Sequence, residues 1–480
     1  MKQEWLIAVC LLFLCVLTRL PFYFVDVIDW DESTFILMGQ FLLDGHLPYL
    51  ELWDLKPPLA FVAYAAFIAI LGKNVLAIRL AGTLCVFVTS WLVYLIGRFI
   101  GDRRAGIFAS ILFIVAVSLI SGGQSTMTEH VALVPLMGAL AWLVSRKPTP
   151  LVLLVGGILL TTATLVRLNL AYVVVAVGFW LLYGKFRLKT VDSLGIVAYC
   201  LGSFGLIFLT YIPYLVTSNG SIWLDSVVLA PLSYSDSQGE GGLIKVLVAF
   251  LVAWILIKLW NVISSNTALK CQKFSLLQVF FLGTAISIFQ GGAFYQHYYI
   301  QAFPFLALTL ALFWTKLPSK LVRLVIIMLF TVWLTLEMKP IWAQYQVIGD
   351  RLQTEESLTY GMGYEIADYL KQQNPEKESV YLMNDHIAYW LADLKPISKS
   401  TTHPSNIAKE YLLKHIPGSE DSTEAELARI LAKKPKFVIK QPKVSYLQDH
   451  NSAKLLLKQT LAAEYQIVAK VGDREVHQIR

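Results

Sequence analysis

Residues 5–32 read Trp5-Leu-Ile-Ala-Val-Cys10-Leu-Leu-Phe-Leu-Cys15-Val-Leu-Thr-Arg19-Leu-Pro-Phe-Tyr-Phe-Val-Asp26-Val-Ile-Asp29-Trp30-Asp31-Glu32. From Trp5 to Phe24 the only charge is Arg19, and a run of about 20 apolar residues is what a helix needs to cross the hydrocarbon core of a bilayer. Four carboxylates, Asp26, Asp29, Asp31 and Glu32, then follow at once. Comparable apolar runs recur near 76–97, 105–121, 128–145, 150–167, 170–184, 194–216, 243–262, 275–290, 299–315 and 321–338. Together they predict an α-helical polytopic membrane protein with about 11 transmembrane helices.

The whole chain has 480 residues, 56% of them hydrophobic and 15% charged, against about 25% charged in soluble proteins. That average conceals a step, since about 11% of residues are charged before residue 339 and about 26% after it. A membrane domain over 1–338 and a water-soluble domain over 339–480 account for the step. A single soluble fold, a disordered chain and a fibrous repeat do not. The net charge of +7 comes without a basic stripe or interleaved aromatics, so no nucleic-acid partner is expected. The five cysteines (Cys10, Cys15, Cys85, Cys200 and Cys271) show no C-x-x-C or zinc-ligand spacing.

Positive charge sets orientation, because Lys and Arg gather on the cytoplasmic side. One set of connections holds Lys2, Arg98, Arg103, Arg104, Arg146, Lys147, Lys185, Arg187, Lys189, Lys258, Lys270, Lys273, Lys316, Lys320 and Arg323. The opposite set holds Arg19, Lys56, Lys73, Arg79, Arg167 and Lys245. The first set, and with it the N-terminus, is expected in the cytoplasm; an odd number of spans then puts the tail outside. The first span has no small-x-small cleavage site and reads as a retained helix. Arg19, at its outer end, is expected to snorkel to the interface. Pro57–Leu71 is apolar but short, and counting it as a span would invert every later loop. It is expected to lie along the outer interface or to re-enter, making 25–75 one outer segment.

The tail carries signals of a small α/β domain. Tyr364–Leu370 has helical apolar spacing, Ser379–Met383 and Lys436–Lys440 are strand candidates, and Thr423 with Glu426 predicts a capping box. Tyr465–Val471 and Glu475–Ile479 flank Gly472-Asp473 as a hairpin would. With no phosphate loop and no triad spacing, this domain is expected to support the membrane part or to recognise an acceptor.

In the outer segment the carboxylates keep particular company: Trp30 beside Asp29, Asp31 and Glu32, then Gly45-His46-Leu-Pro48-Tyr49, then Trp53-Asp54-Leu55-Lys56-Pro57-Pro58. Acids and a lysine at a water–membrane boundary, framed by aromatics and prolines, suit the polar headgroup of a lipid. This order, followed by Arg79-Leu80, resembles the GT-C class of membrane glycosyltransferases. The resemblance is to the branch of the protein O-mannosyltransferases, the lipid A aminoarabinose transferase and the Rgt-like enzymes. It covers the first 190 residues and continues loosely to Gln296-His297-Tyr298-Tyr299.

The resemblance implies the GT-C fold in the plasma (inner) membrane, a polyprenyl-phosphate sugar as donor, and a glycan, lipid or protein as acceptor on the extracytoplasmic face. It implies an inverting displacement, for which one carboxylate takes the acceptor proton and positive charge covers the leaving phosphate. Asp31 and Glu32 match the catalytic acidic positions, with Asp31 as general base or metal-linked carboxylate. Lys56 matches the lysine near the donor phosphate. Arg79 and Arg167 are further phosphate contacts, since an arginine in an apolar helix is costly unless paired. Asp29, Asp54, Glu129, His130, His297 and Tyr298 are substrate- or metal-linked candidates. A divalent metal ion is the one cofactor such a set admits, although Leu55 stands where some relatives carry an acid. Two other classes fit a polytopic chain: a lipid-linked glycan transporter or flippase, and an O-antigen-type polymerase or ligase. A transporter usually keeps its ionisable groups near the bilayer midplane and shows internal repeats, neither of which is evident here.

Overall fold

The structure is a computed structural model that describes residues 2–237, 268–290, 295–315, 317 and 319–480. The ten expected spans within these residues are all helical; the span expected at 243–262 lies outside them. Among the described residues six helices are long and apolar enough to cross a membrane. They are Lys2–Phe24, Val75–Ile100, Thr128–Ser145, Leu168–Leu188, Ser193–Val216 and Lys273–Gln290. Leu321–Glu337 and Lys339–Gln353, bent by 43°, make a seventh if taken as one span. The chain is a multi-pass membrane protein.

By packing, the chain divides into two units. The first comprises Met1–Tyr23, Arg79–Ile212 and Gln238–Thr354. The second comprises Phe24–Ile78, Pro213–Ser237 and Glu355–Arg480. This division differs from one drawn at residue 338 on charge alone, because residues 24–78 bond directly to the tail, as set out below.

The first unit is helical. It holds α1 (Lys2–Arg19), most of α4 (Val75–Ile100), α5 (Arg103–Leu119), α6 (Thr128–Ser145), α7 (Pro150–Val166), α8 (Ala171–Tyr183) and most of α9 (Ser193–Val216). Local sequence sets their ends. Asp102 caps α5 by accepting from Ala105 N at 2.8 Å, and Thr149 with Pro150 opens α7, proline being suited to a first turn that has no amide to satisfy. α6 packs on α7, the helix Ala268–Gln290 on α8, and the helix Phe303–Trp314 on α5.

Arg19 departs from expectation. Instead of snorkelling, it is 1% exposed. Its guanidinium donates to the carbonyls of Gly123, Gln124 at 3.1 Å and Ser125 at 3.2 Å, and to Thr83 Oγ1 at 3.3 Å. The loop before α6 turns its carbonyls inward, and a rigid five-donor fork meets several of them at once. Gly123 fits this loop because a Cβ there would lie 1.9 Å from the Val117 carbonyl oxygen.

The second unit joins α2 (Trp30–Leu43) and α3 (Pro58–Leu71) to an α/β tail. Asp29 caps α2, its side chain accepting from Asp31 N at 3.0 Å. Pro58 opens α3 and Gly72 ends it, at φ 99°. At 14 residues and 1.5 Å per residue, α3 is about 21 Å long, short of a span. It packs on α2, with the rings of Phe35 and Tyr64 5.5 Å apart.

The tail sheet has the order β1-β2-β4-β3, with β1 (Val380–Leu382), β2 (Phe437–Lys440), β3 (Tyr465–Val471) and β4 (Arg474–Ile479). β1 and β2 are parallel, with Tyr381 opposite Val438. β4 is antiparallel to β2 and forms a hairpin with β3 around Gly472-Asp473. Tyr381, Leu427, Ile430, Val438, Leu457 and Tyr465 belong to its core. The capping box expected from Thr423 and Glu426 is displaced by one residue. Ser422 is the cap, accepting from Ala425 N at 3.2 Å, while the buried Glu426 carboxylate accepts from Ser398 and Arg429 instead.

Residues 24–78 are tied to the tail at several points. Val25 bridges Tyr360, and the Asp26 carboxylate accepts from Gly363 N at 2.5 Å. Thr34 Oγ1 donates to the Thr402 carbonyl at 3.3 Å, and Thr402 Oγ1 accepts from Trp53 N at 3.1 Å. Trp390 Nε1 donates to Gln40 at 3.1 Å.

Candidate functional site

Each unit holds one group of the residues singled out by sequence. In the second unit, Asp31 stands in the first turn of α2, with its side chain 30% exposed. Its Oδ2 lies 3.9 Å from Lys56 Nζ, and its Oδ1 lies 3.1 Å from His403 Nε2. Asp29 is committed to capping α2. Glu32, one residue beyond Asp31, is fully buried. Trp30 is 37% exposed and sets its ring edge-on to those of His403 and Tyr446, each at 6.5 Å.

Lys56 is fixed from both sides of its backbone. Its amide donates to Asp54 Oδ1 at 2.9 Å, and its carbonyl accepts from the Tyr49 hydroxyl at 2.7 Å. Tyr49 is fully buried between Phe61 and Tyr214 at φ 71°, a left-handed conformation that a bulky residue takes only when its surroundings impose it. This gives the Gly45-x-x-Pro48-Tyr49 and Trp53-Asp54-x-Lys56 motifs a physical meaning: the first builds the buried post on which the second hangs the lysine. The Lys56 ammonium itself lies over the Phe35 ring at 5.7 Å.

Burial pushes the Asp54 carboxyl above the usual carboxylate range, against the pull of Lys56. Lys409, from the tail, lies close enough to feel Asp31, Lys56 and Asp54. Burial lowers its ammonium pKa while Asp31 works in the opposite direction. Neither His403 nor Lys409 was signalled by sequence. Both sit in a stretch without periodicity or motif, and His403 is 372 residues from the carboxylate it meets.

In the first unit, Glu129, Arg167, His297 and Tyr298 come together. Arg167 Nη1 lies 2.9 Å from Glu129 Oε1, and both side chains are nearly closed to solvent. His297 Nε2 is 3.7 Å from the same oxygen, and the Arg167 guanidinium sits 4.5 Å from the Tyr298 ring centroid. Arg167 Nη1 also donates to Thr128 Oγ1 at 3.2 Å. His130 turns back on its own helix, its Nδ1 accepting from Met127 N at 3.2 Å, so it closes the start of α6. Arg79 is buried one turn into α4.

Among the described residues, no three His, Cys, Asp or Glu side chains converge so as to hold a metal ion. What the second unit does offer is a solvent-reachable carboxylate beside a fixed cation, which is the equipment for moving a proton next to an anionic leaving group.

Residues 55–216 match the family model described as dolichyl-phosphate-mannose-protein mannosyltransferase. Among curated proteins none matches this sequence. Among solved structures, the chain is similar to ArnT from Cupriavidus metallidurans bound to undecaprenyl phosphate. The TM-score is 0.63 at 12% identity, over 99% of this chain and 97% of that one. It is similar to the apo state of the same protein, with TM-score 0.56 at 13% identity over 96% and 95%. A third similarity is to the archaeal oligosaccharyltransferase AglB from Archaeoglobus fulgidus in complex with an inhibitory peptide and a dolichol-phosphate. There the TM-score is 0.51 at 12% identity, over 100% of this chain and 74% of that one. Family model and fold point to the same class, the membrane glycosyltransferases. The chain has the GT-C fold, and over residues 55–216 it carries the sequence pattern of the mannosyltransferase family.

Proposed function

We propose that this chain is a glycosyltransferase that moves a sugar from a polyprenyl-phosphate donor to an acceptor hydroxyl at the outer face of the plasma (inner) membrane. The observation that carries this reading is the pairing of Asp31 with Lys56, a half-buried, solvent-reachable carboxylate 3.9 Å from a cation whose backbone is held at both ends. In the reaction the acceptor oxygen attacks the anomeric carbon, its proton passes to Asp31, and the bond from that carbon to the phosphate oxygen breaks. The sugar inverts, and the lipid phosphate departs with the bonding electrons. A phosphate ester leaves as a stable anion, so a carboxylic acid of the hydrolase kind is not needed; a cation is. Lys56 supplies it.

Arg79 and Arg167 keep the phosphate-binding role that the resemblance implies for them, and Glu32 that of orienting Asp31 or the acceptor. The outward orientation is supported by the excess of Lys and Arg in the connections that begin with Lys2. The donor similarity is supported by the lipid phosphates held by ArnT and AglB. The acceptor is a glycan, lipid or protein. The test is consumption of synthetic polyprenyl-phosphate hexoses by the purified full-length protein, followed as released polyprenyl phosphate. Turnover of one of them that disappears in Asp31→Asn supports the reading, and absence of turnover with every donor and acceptor class overturns it. A comparison of cell-surface glycans with and without the protein then names the acceptor.

A further inference from the structure

His403 belongs to the tail, which the sequence read as a supporting domain, yet its Nε2 lies 3.1 Å from Asp31 Oδ1. The segment that carries it is built, not incidental. Thr402 bonds to α2 through Thr34 and to the Lys56 loop through Trp53 N. The turn before it is closed by Ser398 and Thr401, with Ser398 N donating to Thr401 Oγ1 at 3.1 Å and Thr401 Oγ1 to Ser398 O at 2.7 Å. Behind that turn, the buried Glu426 accepts from Ser398 at 3.1 Å and from Arg429 at 2.7 Å.

The ring's tautomer follows from its own contacts. His403 Nδ1 accepts from Ser405 N at 3.2 Å. A nitrogen that accepts an amide hydrogen bond carries no proton, so in the neutral ring the hydrogen sits on Nε2. Nε2 is the nitrogen that faces Asp31 Oδ1 at 3.1 Å. The other charged or titratable groups around this pair include Asp29 and Glu32 at the start of α2, Lys56 and Asp54 from the loop before α3, Lys409 from the tail and His386 from the start of the helix Ile387–Leu391.

We propose that His403 is a positioning residue of the transfer reaction: its Nε2–H holds Asp31 through Oδ1 and so presents Oδ2, on the Lys56 side, to the acceptor hydroxyl. The inference rests on the reading of Asp31 as the base. The proton balance is simple. The acceptor proton ends on Asp31, His403 keeps its own proton throughout, and the lipid phosphate leaves as an anion. The tail is thereby part of the chemical step and not only of acceptor choice.

The experiment uses the full-length protein in detergent with the same polyprenyl-phosphate hexoses, comparing His403→Ala and His403→Gln with the parent. The glutamine Nε2 can occupy the place of the histidine Nε2, but it cannot titrate. A hydrogen bond to a charged group is worth enough that kcat in His403→Ala should fall roughly 10- to 100-fold, with donor KM nearly unchanged. Losing a donor to a carboxylate also raises its pKa, so the acid limb of the kcat–pH profile should move to higher pH. His403→Gln should recover most of the rate and return the limb. Unchanged kcat in His403→Ala, or equal losses in both variants with an unmoved limb, overturns the proposal while leaving the transferase reading intact. Should His403→Ala fail to fold, the rate and limb of His403→Gln decide alone, a loss as large as that of Asp31→Asn overturning the proposal. A parent protein that turns over no donor overturns the functional reading and this inference with it.

Discussion

Arg167 and Glu129 form an ion pair 2.9 Å long in which the arginine is 6% and the glutamate 0% exposed at the side chain. Removing one member of a buried pair strands the other charge and costs about 3–5 kcal/mol, whereas replacing both by apolar groups of similar size is often neutral. Glu129→Gln should therefore lower the thermal unfolding midpoint markedly, and the double variant Glu129→Leu with Arg167→Met should regain much of it. Equal midpoints for the parent and Glu129→Gln would show that the pair does not hold α6 to the end of α7.

Asp31 and Lys56 act on opposite ends of the same displacement, so their variants should differ in size. Asp31→Asn removes the base and should lower kcat about 10²- to 10⁴-fold. Lys56→Met leaves the base but takes the charge from the departing phosphate, a loss of about 10²- to 10³-fold. Steady-state rates with a fixed donor and acceptor measure both. A Lys56→Met enzyme that keeps full kcat and only raises KM would assign the lysine to binding alone.

Asp54 gives a pH signature. Burial raises its pKa in the folded state, so the folded protein holds this proton more tightly than the unfolded chain does. Ionisation then weighs against the fold. The loss sets in as pH rises through the ordinary aspartate value of 3.8 and is complete above the raised folded value. Asp54→Asn keeps an oxygen for the Lys56 amide and never ionises. Its unfolding midpoint should exceed the parent's at pH 7, and the difference should vanish below about 3.8, read from midpoints across a pH series.

These residues also show where sequence reading succeeds. The helices were legible because a bilayer demands long apolar runs, and Asp31 and Lys56 could be singled out because both lie on one short segment bearing a recognisable pattern. Arg19 misled for a physical reason. An arginine near the end of an apolar helix looks like a snorkelling residue, and nothing local reveals that the carbonyls of Gly123, Gln124 and Ser125 wait for it about a hundred residues on. His403 was invisible on the same grounds, since its role depends on a long-range contact and a lone histidine has no periodicity. In the Thr423–Glu426 region the cap falls one residue earlier, on Ser422, and the glutamate turns to the distant Ser398 and to Arg429 one turn on in its own helix.

Gly361 is a further test of the link between residues 24–78 and the tail. It sits at φ 128°, and a Cβ there would fall 2.2 Å from the Asp26 carboxylate. Alanine must either strain the backbone or displace the carboxylate that accepts from Gly363 N. Strain in such a conformation costs about 1–3 kcal/mol, and loss of the bond adds to it. Gly361→Ala should lower the unfolding midpoint, with limited proteolysis opening the tail first. Gly418→Ala, at φ 77° but with open space around it, should cost less.

The bonds of Thr402 to α2 and to the Lys56 loop have a consequence for biosynthesis. The unit they close is assembled from three separate stretches of chain, 24–78, 213–237 and 355–480. Its sheet is incomplete until β4 has been made. The ribosome therefore releases Asp31 and Trp53 hundreds of residues before His403 and Thr402 exist, and their loop must wait through the insertion of the intervening helices. A chimera between relatives will function only if these three stretches are exchanged together.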